Sequence, residues 1–216
     1  MAQLVHIPVG LHAVEGLLVL PASPIGLVVF AHGSGSSRHS PRNNQVAHVL
    51  HARQIGTLLL DLLTPEEDLE RHNRFDIPLL TQRLLSVTRW LRQQPATHAL
   101  PLAYFGASTG AAAALMAAAE LGDAICAVVS RGGRPDLAEP LDLARVRCPT
   151  LLLVGSLDED VLMLNRQAAS EMRCPHTLSI IPGATHLFDE PGTLDAVARQ
   201  AADWFEQHLL KAASQP

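Results

Sequence analysis

Residues 102–121 read LAYFGASTGAAAALMAAAEL and join an apolar run to an alanine-rich helical segment through the turn GASTG at 106–110. The turn matches G-x-S-x-G between a strand and a helix, the setting in which a sharp turn exposes a nucleophilic serine. Its two glycines let the strand and the helix approach without side-chain collision. The helix start adds backbone N–H groups and a partial positive charge. The pattern therefore predicts Ser108 as a nucleophile, and the alternative is an ordinary serine in a surface turn.

Apolar runs alternate with helical patterns on both sides of this turn. An antiparallel strand pair opens the chain at 5–9 and 14–20. Later strands are predicted over 25–31, 57–63, 100–105, 124–130, 150–154 and 176–181, and helices over 42–53, 76–94, 109–121, 161–173 and 194–210. Strands separated by helices require a mostly parallel sheet with helices on both faces. Ligands of such sheets bind beyond the carboxyl ends of the strands, so site residues should directly follow strands.

The glycine-rich segment HGSGSS at 32–37 follows one of the apolar runs. Glycines let the backbone turn sharply and present N–H groups, and one such group can join the N–H after a nucleophile to hold an oxyanion. We expect the backbone N–H groups of Ser34 and Thr109 to do this, and His32 to stiffen the loop by hydrogen bonding. The alternative is a phosphate-binding loop, although the segment lacks both G-x-x-x-x-G-K and G-x-G-x-x-G.

A carboxylate and an imidazole follow two later strands. Asp158 ends the segment GSLD at 155–158, where a carboxylate could orient an imidazole and stabilise its cation. His186 ends the segment GATH at 183–186 and is the candidate base. The alternatives are an acidic helix start that only caps the helix, Asp160 as the acid instead, and a packed loop histidine, since the chain has eleven histidines.

Serine, acid and histidine occur in the chain order of an α/β-hydrolase, which other common serine hydrolase folds do not share. Along nearly its whole length the chain resembles the small α/β-hydrolases without a cap domain that are similar to dienelactone hydrolase. The likeness is carried by FAHGSGSSRHSPRN, YFGASTG, LVGSLDED and IPGATHLFDEPG. The chain departs from dienelactone hydrolase at Ser108, where that enzyme has cysteine. The resemblance implies hydrolysis of an ester, thioester or lactone through an acyl-enzyme on Ser108, with no cofactor.

Two arginines that follow strands are candidate contacts for an anionic group of a substrate. Arg131 begins the segment RGGR at 131–134, and Arg42 lies in the segment 38–43. The alternative for Arg131 is a structural ion pair with Asp136 or Glu139. The segment between the predicted strands 124–130 and 150–154 is too short for a helical lid plus a crossover, so an open site is expected.

Length and composition limit the remaining possibilities. The 216 residues favour a single domain over 1–216, and 48% hydrophobic residues exclude global disorder. A net charge of −5 with scattered arginines argues against nucleic acid or a membrane surface as a partner. The expected partner, a small acyl substrate, is what the resemblance implies. No apolar run is long enough for a membrane span, and the N-terminal residues lack the basic region of a signal peptide. Three cysteines without a pairing pattern fit a reducing cytoplasm.

Other functions remain open at this point. His48 and His51 share a helix, but no third ligand is placed by the sequence, so no metal site is expected. A binding or regulatory protein with weak or no catalysis could retain the same fold, because fold does not determine function. A peptidase or a lyase on the same scaffold would need pocket features that the sequence does not contain.

Overall fold

The computed structural model describes residues 2–214, which are built around an eight-stranded sheet. The strands are β1 (Gln3–Val9), β2 (His12–Val19), β3 (Gly26–Ala31), β4 (Ile55–Leu60), β5 (Leu102–Ala107), β6 (Ile125–Arg131), β7 (Thr150–Gly155) and β8 (His176–Ile181). Their order across the sheet is β1-β2-β4-β3-β5-β6-β7-β8. The β1–β2 and β2–β4 pairs are antiparallel, and the remaining pairs are parallel. The predicted mostly parallel sheet is confirmed.

Helices cover both faces of this sheet. They are α1 (Pro41–Ala52), α2 (Pro65–Leu69), α3 (Ile77–Leu91), α4 (Thr109–Leu121), α5 (Pro140–Arg145), α6 (Glu159–Glu171) and α7 (Thr193–Ala213), with short 3₁₀ turns at Arg71–Phe75, Gly122–Ala124 and Pro135–Leu137. Helices α1 and α7 share one apolar core with one face of the sheet, and α3 and α4 belong to the core on the other face. Among residues 2–214, the connection between β6 and β7 holds a 3₁₀ turn and α5, with no cap domain.

Two differences from the predicted boundaries have a local cause. Strand β4 ends at Leu60 rather than at residue 63, because its pairing with β2 and β3 extends no further than Leu60. The side chain of the next residue, Asp61, accepts hydrogen bonds from the backbone N–H and the guanidinium of Arg38. Helix α2 then starts in a capping box in which Thr64 and Glu67 exchange side-chain and backbone hydrogen bonds. Such short elements carry too little periodicity to be predicted from sequence.

The helix that follows Ser108 packs against the sheet without intervening side chains. A β-carbon at Gly106 would lie 2.4 Å from the Cα atom of Ala111, and one at Gly110 would lie 2.3 Å from the carbonyl oxygen of Ala31. Residues 111–114 of α4 are all alanines with no exposed surface. The small residues in this segment therefore bring α4 directly onto β5 and β3 and fix the position of Ser108.

We predict that Gly110→Ala lowers the free energy of unfolding by about 1–3 kcal/mol or more, because the added methyl group meets backbone atoms that cannot move aside. Chemical denaturation measures this change. The control Glu120→Ala, at an exposed position of the same helix, should change the stability by about 0.5 kcal/mol or less. Equal stability of the two variants would contradict the packing described here.

Candidate active site

Ser108 occupies the turn between β5 and α4 in a strained backbone conformation. Its φ is 49° and its ψ is −121°, a region that residues other than glycine rarely adopt. Neighbouring backbone groups hold it there: its N–H donates to the carbonyl of Arg131 at 3.3 Å, and its own carbonyl accepts from the N–H of Arg134 at 3.0 Å. The serine is partly exposed. This is the geometry of a turn that presents a serine hydroxyl at the sheet edge.

Asp158 and His186 meet at the same edge, in the loops that follow β7 and β8. The Oδ2 atom of Asp158 lies 2.6 Å from Nδ1 of His186. Asp158 occupies the N-cap position of α6, but its side chain makes no capping hydrogen bond, so the carboxylate serves the imidazole instead. With the proton held on Nδ1, the Nε2 atom of a neutral imidazole is left to accept another proton. The exposed Asp160 lies in the first turn of α6.

The loop that carries His186 is fixed by a carboxylate that sequence reasoning does not single out. Both the backbone N–H and the hydroxyl of Thr185 donate to the side chain of Glu190, at 3.1 and 2.6 Å. These hydrogen bonds lower the pKa of the Glu190 carboxyl. The carbonyl of Ala184 also accepts from the N–H of Leu157, which ties this loop to the one that carries Asp158. Thr185 and Glu190 are five residues apart, a spacing that no regular helix or strand pattern brings into contact, so the sequence does not predict this hydrogen bond.

Ser108 and His186 both adjoin the segment 131–134. Its backbone bonds Ser108 at two points, and a β-carbon at Gly132 would lie 3.5 Å from Cε1 of His186. Within residues 2–214, no hydrogen bond joins the Ser108 hydroxyl to the imidazole, and Asp158 is the side chain that bonds this ring. Catalytic hydrogen bonds are often long before a substrate binds. Rotation about the Cα–Cβ bond of Ser108 changes the direction of its hydroxyl, because this torsion has three staggered minima.

The loop after β3 lies against Ser108 on the other side. A β-carbon at Gly33 would come within 3.7 Å of the Ser108 hydroxyl oxygen. The N–H groups of Ser34 and Thr109 donate to no other backbone group of the described chain. The N–H of Thr109 is one of the helix-start donors that have no partner within the helix. Within the described residues, the N–H groups of both predicted oxyanion donors therefore have no backbone partner.

The buried His32 stiffens this loop, as its sequence position predicts. Its Nδ1 lies 2.9 Å from the carbonyl oxygen of Gly33, and its Nε2 accepts from the N–H of Leu62 at 3.1 Å. Burial lowers the pKa of His32, although its bond to Gly33 and the charges of Asp61 and Asp68 oppose that shift. A neutral ring that donates from Nδ1 and accepts at Nε2 satisfies both bonds.

The two arginines that the sequence proposed as substrate contacts, Arg42 and Arg131, differ in their hydrogen-bond partners. Arg42 donates from Nε and Nη2 to the two carboxylate oxygens of Asp189, at 3.1 and 3.2 Å. Asp136 pairs with Arg134, at 2.8 and 2.7 Å, and not with Arg131. Across residues 2–214, the Nε and Nη1 atoms of Arg131 are buried without a hydrogen-bond partner. An ion pair of Arg131 with a nearby acid, the alternative left open by the sequence, is therefore not what this arginine forms.

Cavities, metal ligands and membrane spans were the other binding features to consider. A cavity of about 260 Å³ adjoins the glycine-rich loop; its lining includes His32 and Ser36 of that loop together with Arg38, Asp61 and Thr64. In the described part of the chain, no three histidine, cysteine or acidic side chains are grouped so as to hold a metal ion. None of the helices between residues 2 and 214 has the length and apolar character that a membrane span requires.

Known proteins resemble this chain along almost its whole length. No protein-family model matches it. Dienelactone hydrolase from Anabaena variabilis is 51% identical, and its crystal structure superposes with a TM-score of 0.94 over 96% of this chain and 98% of its own. The chain belongs to the dienelactone hydrolase-like α/β-hydrolases. Est1E from Butyrivibrio proteoclasticus shares the fold, with a TM-score of 0.81 at 15% identity over 95% of this chain and 98% of its own.

Two curated relatives carry a different name. Both come from Mycobacterium tuberculosis, carry the name "Putative phosphoribosyl transferase", and are 57% identical to this chain over 205 residues. The match covers 95% of this chain but 46% of theirs, so the chain spans about half the length of these relatives.

We predict that the Nδ1 proton of His186 gives a proton resonance far downfield of the amide region, because a short hydrogen bond to a carboxylate deshields it. NMR spectra of three proteins test this. The signal should be present in the unmodified protein and in Asp160→Asn, and it should be lost or strongly shifted in Asp158→Asn. A signal that depends on Asp160 instead would show that the wrong carboxylate has been paired with the histidine.

Proposed function

We propose that this protein is a serine hydrolase that cleaves carboxylic esters, thioesters or lactones of small substrates through an acyl-enzyme on Ser108. The observation that carries the proposal is the 2.6 Å contact between Asp158 and Nδ1 of His186, at the edge where the strained Ser108 is held. The unused N–H groups of Ser34 and Thr109 support it, because an acyl-transfer site needs donors for an oxyanion.

In the acylation step, Nε2 of His186 takes the hydroxyl proton of Ser108 while the serine oxygen bonds to the acyl carbon. The electron pair of the C=O double bond moves onto the carbonyl oxygen, which the N–H groups of Ser34 and Thr109 stabilise. One such donor is worth about 3–4 kcal/mol of the barrier. The bond to the leaving oxygen or sulfur then breaks, and His186 gives its proton to the departing alcohol or thiol. Asp158 stabilises the imidazolium in between.

Water completes the cycle by the same route. His186 removes a proton from a water molecule as its oxygen bonds to the acyl carbon, and a second oxyanion forms at the same two N–H groups. The bond between Ser108 and the acyl carbon breaks, the serine oxygen regains its proton from His186, and a carboxylic acid is released. Every proton is returned, so the proposed cycle requires no cofactor.

The phosphoribosyl transferase name of the mycobacterial relatives does not define this reaction. The match to the mycobacterial relatives covers 46% of those proteins, whereas the match to dienelactone hydrolase covers 98% of that chain. The competing proposal is a binding protein that has kept the fold with weak or no catalysis. The two proposals differ in whether Ser108 reacts.

We predict that a fluorophosphonate probe labels Ser108 and that labelling disappears in Ser108→Ala, because a serine deprotonated by a histidine attacks the phosphorus atom. Mass spectrometry of the labelled peptide identifies the site. Ser170→Ala, an exposed serine on α6, is the control and should label as the unmodified protein does. Absence of labelling between about pH 6 and pH 9, where an ordinary imidazole becomes neutral, would favour the binding protein.

Asp158→Asn should lower kcat for a p-nitrophenyl ester by about 10⁴-fold, because an asparagine stabilises the wrong imidazole tautomer and no cation. Asp160→Asn should stay within about threefold of the unmodified enzyme, since substitutions on an exposed surface have small effects. Steady-state kinetics give both values, and circular dichroism checks that each variant is folded. An active Asp158→Asn together with an inactive Asp160→Asn would reassign the acid.

A further inference from the structure

The turn that carries His186 is closed by the carboxylate of Glu190. Every polar group of Thr185, the residue before His186, is bonded within this turn. Its N–H and its hydroxyl both donate to the Glu190 side chain, at 3.1 and 2.6 Å, and its carbonyl accepts from the N–H of Phe188 at 3.2 Å. One carboxylate therefore accepts two hydrogen bonds from the residue next to the proposed base.

Helix α7 holds Glu190 through its backbone. The carbonyl of Glu190 accepts from both the N–H and the hydroxyl of Thr193, at 3.1 and 2.7 Å. Thr193 is the first residue of α7 and is buried. A long helix packed on the core opens less readily than a surface loop does. Hydrogen bonds therefore run from α7 through Glu190 to Thr185, and they connect the backbone at His186 to a rigid element.

The charge of Glu190 strengthens these hydrogen bonds. The hydroxyl of Thr185, and after it the N–H of Thr185, lower the pKa of the Glu190 carboxyl, so this group is ionised at neutral pH. Hydrogen bonds to a charged acceptor are roughly twice as strong as bonds between neutral groups. The neighbouring acid, Asp189, pairs with Arg42. The two carboxylates of this turn therefore have different partners, and it is Glu190 that bonds the residue next to His186.

The approach of His186 to Ser108 is the part of the site that this turn can change. Asp158 holds the ring at Nδ1, but within residues 2–214 no hydrogen bond joins the ring to the Ser108 hydroxyl. The distance from Nε2 to that hydroxyl therefore depends on how the backbone at His186 is held. A displacement of about 1 Å can lower a reaction rate about 100-fold.

We propose that Glu190 is a positioning residue: through Thr185, its carboxylate fixes the backbone at His186 so that Nε2 of the ring can reach the Ser108 hydroxyl. This inference rests on the proposed function, because it takes His186 as the base. Glu190 itself meets neither the substrate nor the reacting atoms. Its loss therefore slows proton transfer in acylation and in deacylation alike, which lowers kcat and leaves KM nearly unchanged.

The test measures kcat and KM of Glu190 variants for a p-nitrophenyl ester. Glu190→Ala removes both acceptor oxygens and should lower kcat by about 10- to 100-fold, with KM within about threefold of the unmodified protein. Glu190→Gln keeps an oxygen for the Thr185 N–H and an amide that can donate to the Thr185 hydroxyl, so its kcat should lie between these values. A folded Glu190→Ala variant with unchanged kcat would overturn the proposal, and so would a loss that appears only in KM.

Further variants test whether the effect acts through Thr185. Thr185→Val removes the hydroxyl at nearly constant size and should lower kcat less than Glu190→Ala does. In the Glu190→Ala background it should have almost no further effect, because its partner is already absent, and effects that multiply would overturn the proposal. Asp195→Ala is the matched control: it removes an equal charge from the first turn of α7, where the carboxylate bonds Gln45, and should leave kcat unchanged. Thermal unfolding shows whether each variant is folded.

The outcomes distinguish the two proposals. If hydrolysis depends on Ser108 but folded Glu190→Ala keeps its kcat, the positioning role is wrong and the serine hydrolase stands. If no ester is turned over and no probe labels Ser108, the proposed function fails. NMR resonances of the His186 ring then test the positioning alone. A change in Glu190→Ala that is largely absent in Glu190→Gln supports it, whereas unchanged resonances, or the same change in both variants, which share only the loss of charge, overturn it.

Discussion

The candidate site depends on the absence of side chains at two positions of one turn. Gly106 and Gly110 let α4 rest directly on β5 and β3, and a methyl group at either position would overlap backbone atoms. This close approach holds Ser108 between the strand and the helix at a φ of 49°. Strain of this kind persists only where the surroundings enforce it. The packing of the buried alanines at the start of α4 thus positions a partly exposed serine.

The backbone of the segment 131–134 connects the parts of the site. It bonds the backbone of Ser108 from both sides, lies beside the ring of His186, and starts with the unpaired Arg131. Asn165 on α6 holds this segment from below by donating to the carbonyl of Gly133 at 3.0 Å. A single short connection therefore adjoins both the proposed nucleophile and the proposed base.

Much of this arrangement could be predicted because it follows from local patterns. Helix α4 and strand β8 begin and end at the predicted residues, and the turn around Ser108 is marked by its two glycines. Strand β4 was predicted too long, because the buried Leu62 and Leu63 continue its apolar run after the chain has left the sheet. A run of apolar residues predicts that the residues are buried, but it does not show where their pairing with a neighbouring strand ends.

Contacts between distant residues could not be predicted in this way. Asp189 is 147 residues from Arg42 along the chain, and only the folded sheet brings them together. Proximity in the sequence suggested Asp136 as a partner for Arg131, whereas Arg134 takes that carboxylate. That Arg131 has no hydrogen-bond partner among the described residues can therefore be recognised only from the folded structure, in which Asp136 pairs with Arg134. Membership of the dienelactone hydrolase-like α/β-hydrolases is shown at 51% identity, while the ester bond that is cleaved remains a proposal.

The central claim is that Ser108 forms a covalent bond with the acyl group during turnover. Rapid quenching of the reaction with a p-nitrophenyl ester, followed by mass spectrometry of peptides, measures this directly. The account predicts a burst of p-nitrophenol of about one equivalent per protein and the matching acyl mass on the peptide that contains Ser108. Turnover without a burst and without any acylated peptide, or acylation at a different residue, would contradict it.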